Sequence, residues 1–143
     1  MYKNEMKKYR VGYTTGVFDL FHIGHLNILK NSKSRCDYLI VGVTTDELVS
    51  YKNKKAVIPQ NERMEIVESI KYVDKVVSQD NMNKVEAWEK YQFDVIFVGS
   101  DWKGSEQWNN YEKQFRALGV DIIYFPYTEG TSSTILRDVI KKL

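Results

Sequence analysis

The chain has 143 residues, 43% of them hydrophobic and 13% aromatic, enough to bury one core and unlike a disordered segment. A net charge of +2 is too small to make nucleic acid or an anionic membrane surface a bulk partner. One cysteine, Cys36, excludes an internal disulfide, and no run reaches the roughly 18 apolar residues that span a membrane. The expected setting is therefore reducing and cytoplasmic, without membrane insertion.

Residues 1–10 are polar and lack the apolar stretch of a secretory leader, so they are read as an extension ahead of a domain covering 11–143. Val11-Gly12-Tyr13-Thr14-Thr15 has the pattern of a first strand, and Leu26-Asn27-Ile28-Leu29-Lys30 that of an amphipathic helix. Cys36 falls where this helix meets the next strand, a place for a buried structural thiol rather than a nucleophile. Tyr38-Leu39-Ile40-Val41-Gly42-Val43 is continuously apolar, as in a strand covered on both faces. Residues 73–77, 94–98 and 120–125 repeat the type, with helical patterns at 60–71, 83–92, 106–118 and 132–142. Pro59 suits a helix start, and Gly119 suits a helix end.

This alternation predicts one doubly wound, Rossmann-like α/β domain, with five parallel strands and helices on both faces of the sheet. Ligands of such sheets bind beyond the carboxyl ends of the strands, where every motif of this chain falls. The segment 44–60 is lysine-rich and expected to be irregular.

Residues 16–25 read Gly-Val-Phe-Asp-Leu-Phe-His-Ile-Gly-His. His22 and His25 share one face of a helical first turn, and Gly24 lets a ligand approach the backbone between them. Free N–H groups at a helix start, two imidazoles and a glycine form a site for a phosphate chain. A metal site would need a third ligand, and these two histidines are the only ones in the chain. A purely structural helix would not need a glycine in its first turn.

The pattern Gly16-x-Phe18-Asp19-x-x-His22-x-Gly24-His25 resembles the signature of the HxGH nucleotidylyltransferase superfamily, most closely its cytidylyltransferase branch, and the resemblance runs from about residue 11 to the end. Tyr127-Thr128-Glu129-Gly130-Thr131-Ser132-Ser133-Thr134 resembles the branch's second element, with its hydroxyls at the start of the last helix. The resemblance implies nucleotide contacts at Val17, Phe18, His22, Gly24, His25, Lys54, Asp101, Trp102 and residues 127–134. It implies catalytic roles for His22, His25 and Lys52, and acceptor-substrate contacts at Lys52, Arg63 and Lys84. Arg63, in the first turn of a helix, is unfavourable to the helix dipole unless an anion lies near.

Three residues depart from the pattern. Val17 stands for a threonine, Ser100 for an aspartate, and Tyr127 for an arginine. The last removes a permanent charge near the ligand and bears on the choice of acceptor.

The implied reaction is CMP transfer from CTP to a phosphorylated alcohol such as glycerol phosphate, with Mg²⁺ accompanying the triphosphate and no metal cage made by the protein alone. The resemblance also implies a homodimer and a place in teichoic acid or capsule synthesis. Two alternatives compete. Thr131-Ser132-Ser133-Thr134-x-x-Arg137 is similar to an element of adenylyltransferases of the same fold, which would use ATP. A regulatory module without turnover is the other, against which the intact histidine pair speaks.

Overall fold

The computed structural model describes residues 8–50, 55–126 and 132–143. Five strands run β1 (Tyr9–Gly16), β2 (Cys36–Thr44), β3 (Lys75–Gln79), β4 (Val95–Gly99) and β5 (Asp121–Phe125). Six helices connect and follow them: α1 (Ile23–Lys33), α2 (Asp46–Ser50), α3 (Gln60–Glu68), α4 (Lys84–Tyr91), α5 (Glu106–Leu118) and α6 (Ser133–Lys142). All strand pairs are parallel, in the order β3-β2-β1-β4-β5. The winding reverses between β1 and β4, which opens a crevice at their carboxyl ends.

Successive residues of a strand face opposite sides, and the apolar runs feed two cores accordingly. Leu39, Val41 and Val43 of β2, with Val95 and Phe97 of β4, pack with Leu29 of α1 and Val67 of α3. Ile40 and Ile96 point the other way, packing with Tyr13, Phe93 and the α5 residues Trp108 and Phe115. At Gly12 a side chain would stand 2.6 Å from the Phe97 ring and 2.8 Å from Cys36 Sγ, so glycine is what lets the layers close. Cys36 is fully buried, and burial pushes its thiol up to about 11, as suits a structural sulfur.

The boundaries differ from the sequence pattern where polar residues mask a strand or turns imitate one. β1 begins at Tyr9, ahead of the apolar run and inside what composition marked as an extension. β3 is shifted toward Gln79, because Val73 and Asp74 belong to the turn after α3: Val73 N–H donates to Ile70 and Asp74 N–H to Leu39. Within the supposedly irregular 44–60 segment, α2 forms over Asp46–Ser50, with Leu48 N–H donating to Thr45 Oγ1. Gly119 ends α5 in the left-handed region at φ 75°, which glycine adopts without strain.

Candidate functional site

His22 is the N-cap of α1, and His25 sits in its first turn. The Gly24 N–H donates to His22 Nδ1 at 3.0 Å, and the His22 N–H donates to His25 Nδ1 at 3.3 Å. The result is a capping box in which imidazoles replace the usual hydroxyl and carboxylate. A nitrogen that accepts an N–H carries no proton, so each neutral ring holds its proton on Nε2. The rings stack with centroids 3.9 Å apart. Burial lowers the pKa of His22, and burial together with the neighbouring His22 takes His25 down to about 4. Both rings are therefore neutral donors at pH 7. Phe18, buried, braces His25 edge-on at 5.3 Å.

A cavity of about 330 Å³ is lined by His22, Gly24, His25, Asn27, Ile28, Asn31, Gly99, Phe125, Pro126, Ser132, Ser133 and Thr134. The N-termini of α1 and α6 thus open onto one space. The hydroxyls at α6 also have structural duties. Ser132 Oγ caps the helix by accepting from Ile135 N–H at 3.1 Å, and Ser133 Oγ donates to the Asp19 carbonyl at 2.7 Å.

A second cavity, of about 280 Å³, shares Ile28 and Gly99 with the first. Val17, Met82, Trp102 and Trp108 contribute to its largely apolar wall, and the Lys84 side chain enters from the start of α4. Lys84 is only 5% exposed, and its Nζ donates to Thr15 Oγ1 at 2.8 Å. A lysine in a helix's first turn opposes the helix dipole, and burial opposes its charge, so the position depends on polar partners such as Thr15 Oγ1.

The expected site residues divide accordingly. His22, Gly24, His25, Ser132, Ser133 and Thr134 meet in the first cavity, while Val17, Lys84 and Trp102 line the second. Trp102, expected like Val17 against the nucleotide, lines the second cavity beside Lys84. Asp101 lines neither cavity; it occupies a 3₁₀ turn over Ser100–Trp102 with its carboxylate folded back beside Gly99. Lys52, Lys54, Tyr127, Thr128, Glu129, Gly130 and Thr131 lie outside the described residues.

Arg63, expected at the acceptor substrate, has its guanidinium engaged by the protein itself. It is fully buried, with Nε donating to the Ile58 carbonyl at 2.8 Å and Nη1 to the Val17 and Thr44 carbonyls at 2.7 and 2.8 Å. Its Nη2 pairs with Asp46 Oδ1 at 2.6 Å. The guanidinium fork ties the ends of β1 and β2 to the start of α3, and the anion expected near the helix start is Asp46. The Gln60 N–H first, and then Arg63, hold the Asp46 carboxyl below its ordinary value.

Asp19 and Arg137 were not assigned a contact from sequence. Asp19 is 1% exposed, and Arg137 Nη2 reaches its Oδ2 at 3.2 Å. Burial alone would raise the Asp19 pKa, but hydrogen bonds from Val57 N–H, Ile58 N–H and Arg137 outweigh it and hold the carboxyl low. The signal available was Asp19's place within the histidine motif.

Among the described residues no group of three or more His, Cys, Asp and Glu side chains converges to hold a metal ion, and no helix is long and apolar enough to cross a membrane.

Residues 13–139 match the family model described as cytidylyltransferase-like. The chain is 37% identical over 125 residues to the glycerol-3-phosphate cytidylyltransferase of Bacillus spizizenii, covering 87% of this chain and 92% of that one. It is 33% identical over 132 residues to the FAD synthase of Archaeoglobus fulgidus, covering 90% of this chain and 96% of that one. Among solved structures, the lipopolysaccharide core biosynthesis protein of Thermoplasma volcanium superposes with a TM-score of 0.71 at 25% identity, over 86% of this chain and 99% of that one. With the motif, the parallel sheet and these matches in agreement, the chain belongs to the cytidylyltransferase-like family of nucleotidyltransferases.

Proposed function

We propose that this protein transfers CMP from CTP to glycerol phosphate, giving CDP-glycerol and pyrophosphate. The observation that carries the reading is the pair of neutral imidazoles, protons on Nε2, lining one cavity with the N-terminus of α6. The name of the glycerol-3-phosphate cytidylyltransferase relatives, and their similarity over most of both chains, support the choice of nucleotide and acceptor.

An acceptor phosphate oxygen attacks the α-phosphorus in line, forming the new P–O bond as the bond to the β-phosphate oxygen breaks. Pyrophosphate leaves with that electron pair, and the phosphate dianion has no proton to shed. The protein's work is placement and charge stabilisation. His22 and His25 donate from Nε2 to α-phosphate oxygens, where charge rises in the transition state. The N–H groups of α1 and α6 and the hydroxyls of Ser132 and Thr134 take the rest of the triphosphate, while the Ser133 hydroxyl stays on the Asp19 carbonyl. Lys52 and Lys54 neutralise the attacking and leaving phosphates. Ile28, Phe125 and Pro126 form an apolar wall suited to the nucleoside. Lys84 holds the acceptor phosphate in the second cavity, which adjoins the first at Ile28 and Gly99. Mg²⁺, which the family resemblance implies, would supply screening of the triphosphate charge; among the described residues no cluster of His, Cys, Asp and Glu side chains would hold it alone.

The same reading extends to a homodimer working in the cytoplasm within teichoic acid or capsule synthesis, and rests there on family resemblance. An ATP-using enzyme is the second reading, favoured by the Thr131-Ser132-Ser133-Thr134-x-x-Arg137 pattern and the FAD synthase match. A pyrophosphate-release screen of CTP and ATP against a panel of phosphorylated alcohols separates them. Release with CTP and glycerol phosphate supports the first reading, and release with ATP alone supports the second. Tight CTP binding without release from any acceptor would point to the regulatory module.

A further inference from the structure

One residue in the loop between β1 and α1 gathers three segments that are remote in sequence. The Asp19 carboxylate accepts Val57 N–H at 2.9 Å and Ile58 N–H at 3.0 Å, from the stretch that follows the lysine-bearing residues 52–55. It also accepts Arg137 Nη2 from α6 at 3.2 Å, while the Asp19 carbonyl accepts Ser133 Oγ from the same helix at 2.7 Å. On either side of Asp19 the backbone is left-handed, at φ 55° for Phe18 and 51° for Leu20, a conformation that residues with side chains rarely adopt. Unfavourable backbone of this kind persists only where the surroundings impose it. Arg137 Nε is buried and makes no hydrogen bond among the described residues, so the guanidinium is not placed for a maximal set of contacts. A partly buried pair of this sort adds little net stability over an apolar substitute, and its value lies in fixing geometry.

We propose that Asp19 and Arg137 form a positioning pair that locks Val57-Ile58 and the N-terminus of α6 to the loop that presents His22. The proposal rests on the reading of the site as nucleotidyl transfer. Arg137 acts here through Asp19, by fixing where Val57-Ile58 and Ser133 sit, and its loss loosens those segments against the histidine loop.

Three full-length proteins test this: wild type, Arg137→Met and Arg137→Lys. Each is assayed for kcat and KM with CTP, Mg²⁺ and glycerol phosphate, and separately for tryptic cleavage after Lys52, Lys54 and Lys55 without ligand. The pair predicts that Arg137→Met lowers kcat by about 10–100-fold with a smaller change in KM for CTP. It also predicts severalfold faster cleavage at those lysines, and recovery of both properties toward wild type in Arg137→Lys. Unchanged kcat, or a raised KM for CTP with unchanged cleavage, would overturn the proposal and give Arg137 at most a direct contact with nucleotide. If Arg137→Met fails to fold by circular dichroism, Arg137→Gln replaces it, and loss of fold in that variant too would show a purely structural role and equally overturn it. Cleavage needs no turnover, so a wild-type protein inactive toward CTP would sink the transfer reading while leaving the coupling measurable.

Discussion

The backbone N–H of His22 donates to Nδ1 of His25 at 3.3 Å, so the helix cap that shapes the turn also sets the protonation pattern of its imidazoles. With Gly24 N–H on His22 Nδ1, both rings are left with Nε2 as their only donor. Replacing either histidine by alanine removes a donor aimed at developing charge, and kcat should fall by about 10²–10³ with a smaller effect on CTP affinity. Steady-state kinetics with binding measured by calorimetry check this.

The same burial predicts a pH signature. His25 has its pKa lowered from 6.5 to about 4, and His22 is lowered as well, so the unfolded chain binds these protons more readily than the folded one. Their contribution to stability is full above the unfolded value of 6.5 and declines as pH falls toward about 4, the folded value of His25. Urea midpoints should fall across that window, and the fall should shrink in His25→Ala. Nitrogen NMR of the ring should show His25 neutral, with its proton on Nε2, at pH 6.

Arg63 should prove a stability residue. Arg63→Ala leaves three carbonyls and the Asp46 carboxylate without their buried partner, and unfolding free energy should drop by about 3–5 kcal/mol. Arg63→Lys should not restore it, because one ammonium cannot replace a fork that serves four acceptors. Denaturant titration gives the answer directly; a normal midpoint combined with a raised KM would return Arg63 to substrate contact.

The sheet was legible because parallel strands covered on both faces must be apolar throughout, and the residues 38–43 could be little else. The histidine site was legible because its parts are adjacent in sequence. What escaped the sequence depended on pairings across the chain. Arg63 reads as an exposed first-turn cation until β1, β2 and α2 close over it, and Asp19 reads as a motif letter until Val57, Ile58 and Arg137 converge on it. The shift of β3 follows from Gln79, whose side chain accepts the Thr44 hydroxyl at 2.8 Å and so sits in the sheet despite its polarity.

On the proposed assignment, Lys84 contacts the acceptor and not the nucleotide. Lys84 lines the second cavity, and His22 and His25 line the first, so Lys84→Met should raise KM for glycerol phosphate while KM for CTP changes little. Loss of one charge-assisted hydrogen bond corresponds to about 10–100-fold in kcat/KM. Equal effects on both substrates would place the lysine on the triphosphate.

The central claim is that the histidine-lined cavity carries cytidylyl transfer, and product formation in a single turnover tests it most directly. Enzyme in excess over CTP, with Mg²⁺ and glycerol phosphate, should yield CDP-glycerol and pyrophosphate in equal amounts by phosphorus NMR. His22→Ala should bind CTP yet form product about 10²–10³ times more slowly. Product formed at the wild-type rate by His22→Ala, or CTP bound by wild type with no CDP-alcohol from any phosphorylated alcohol, would contradict the account.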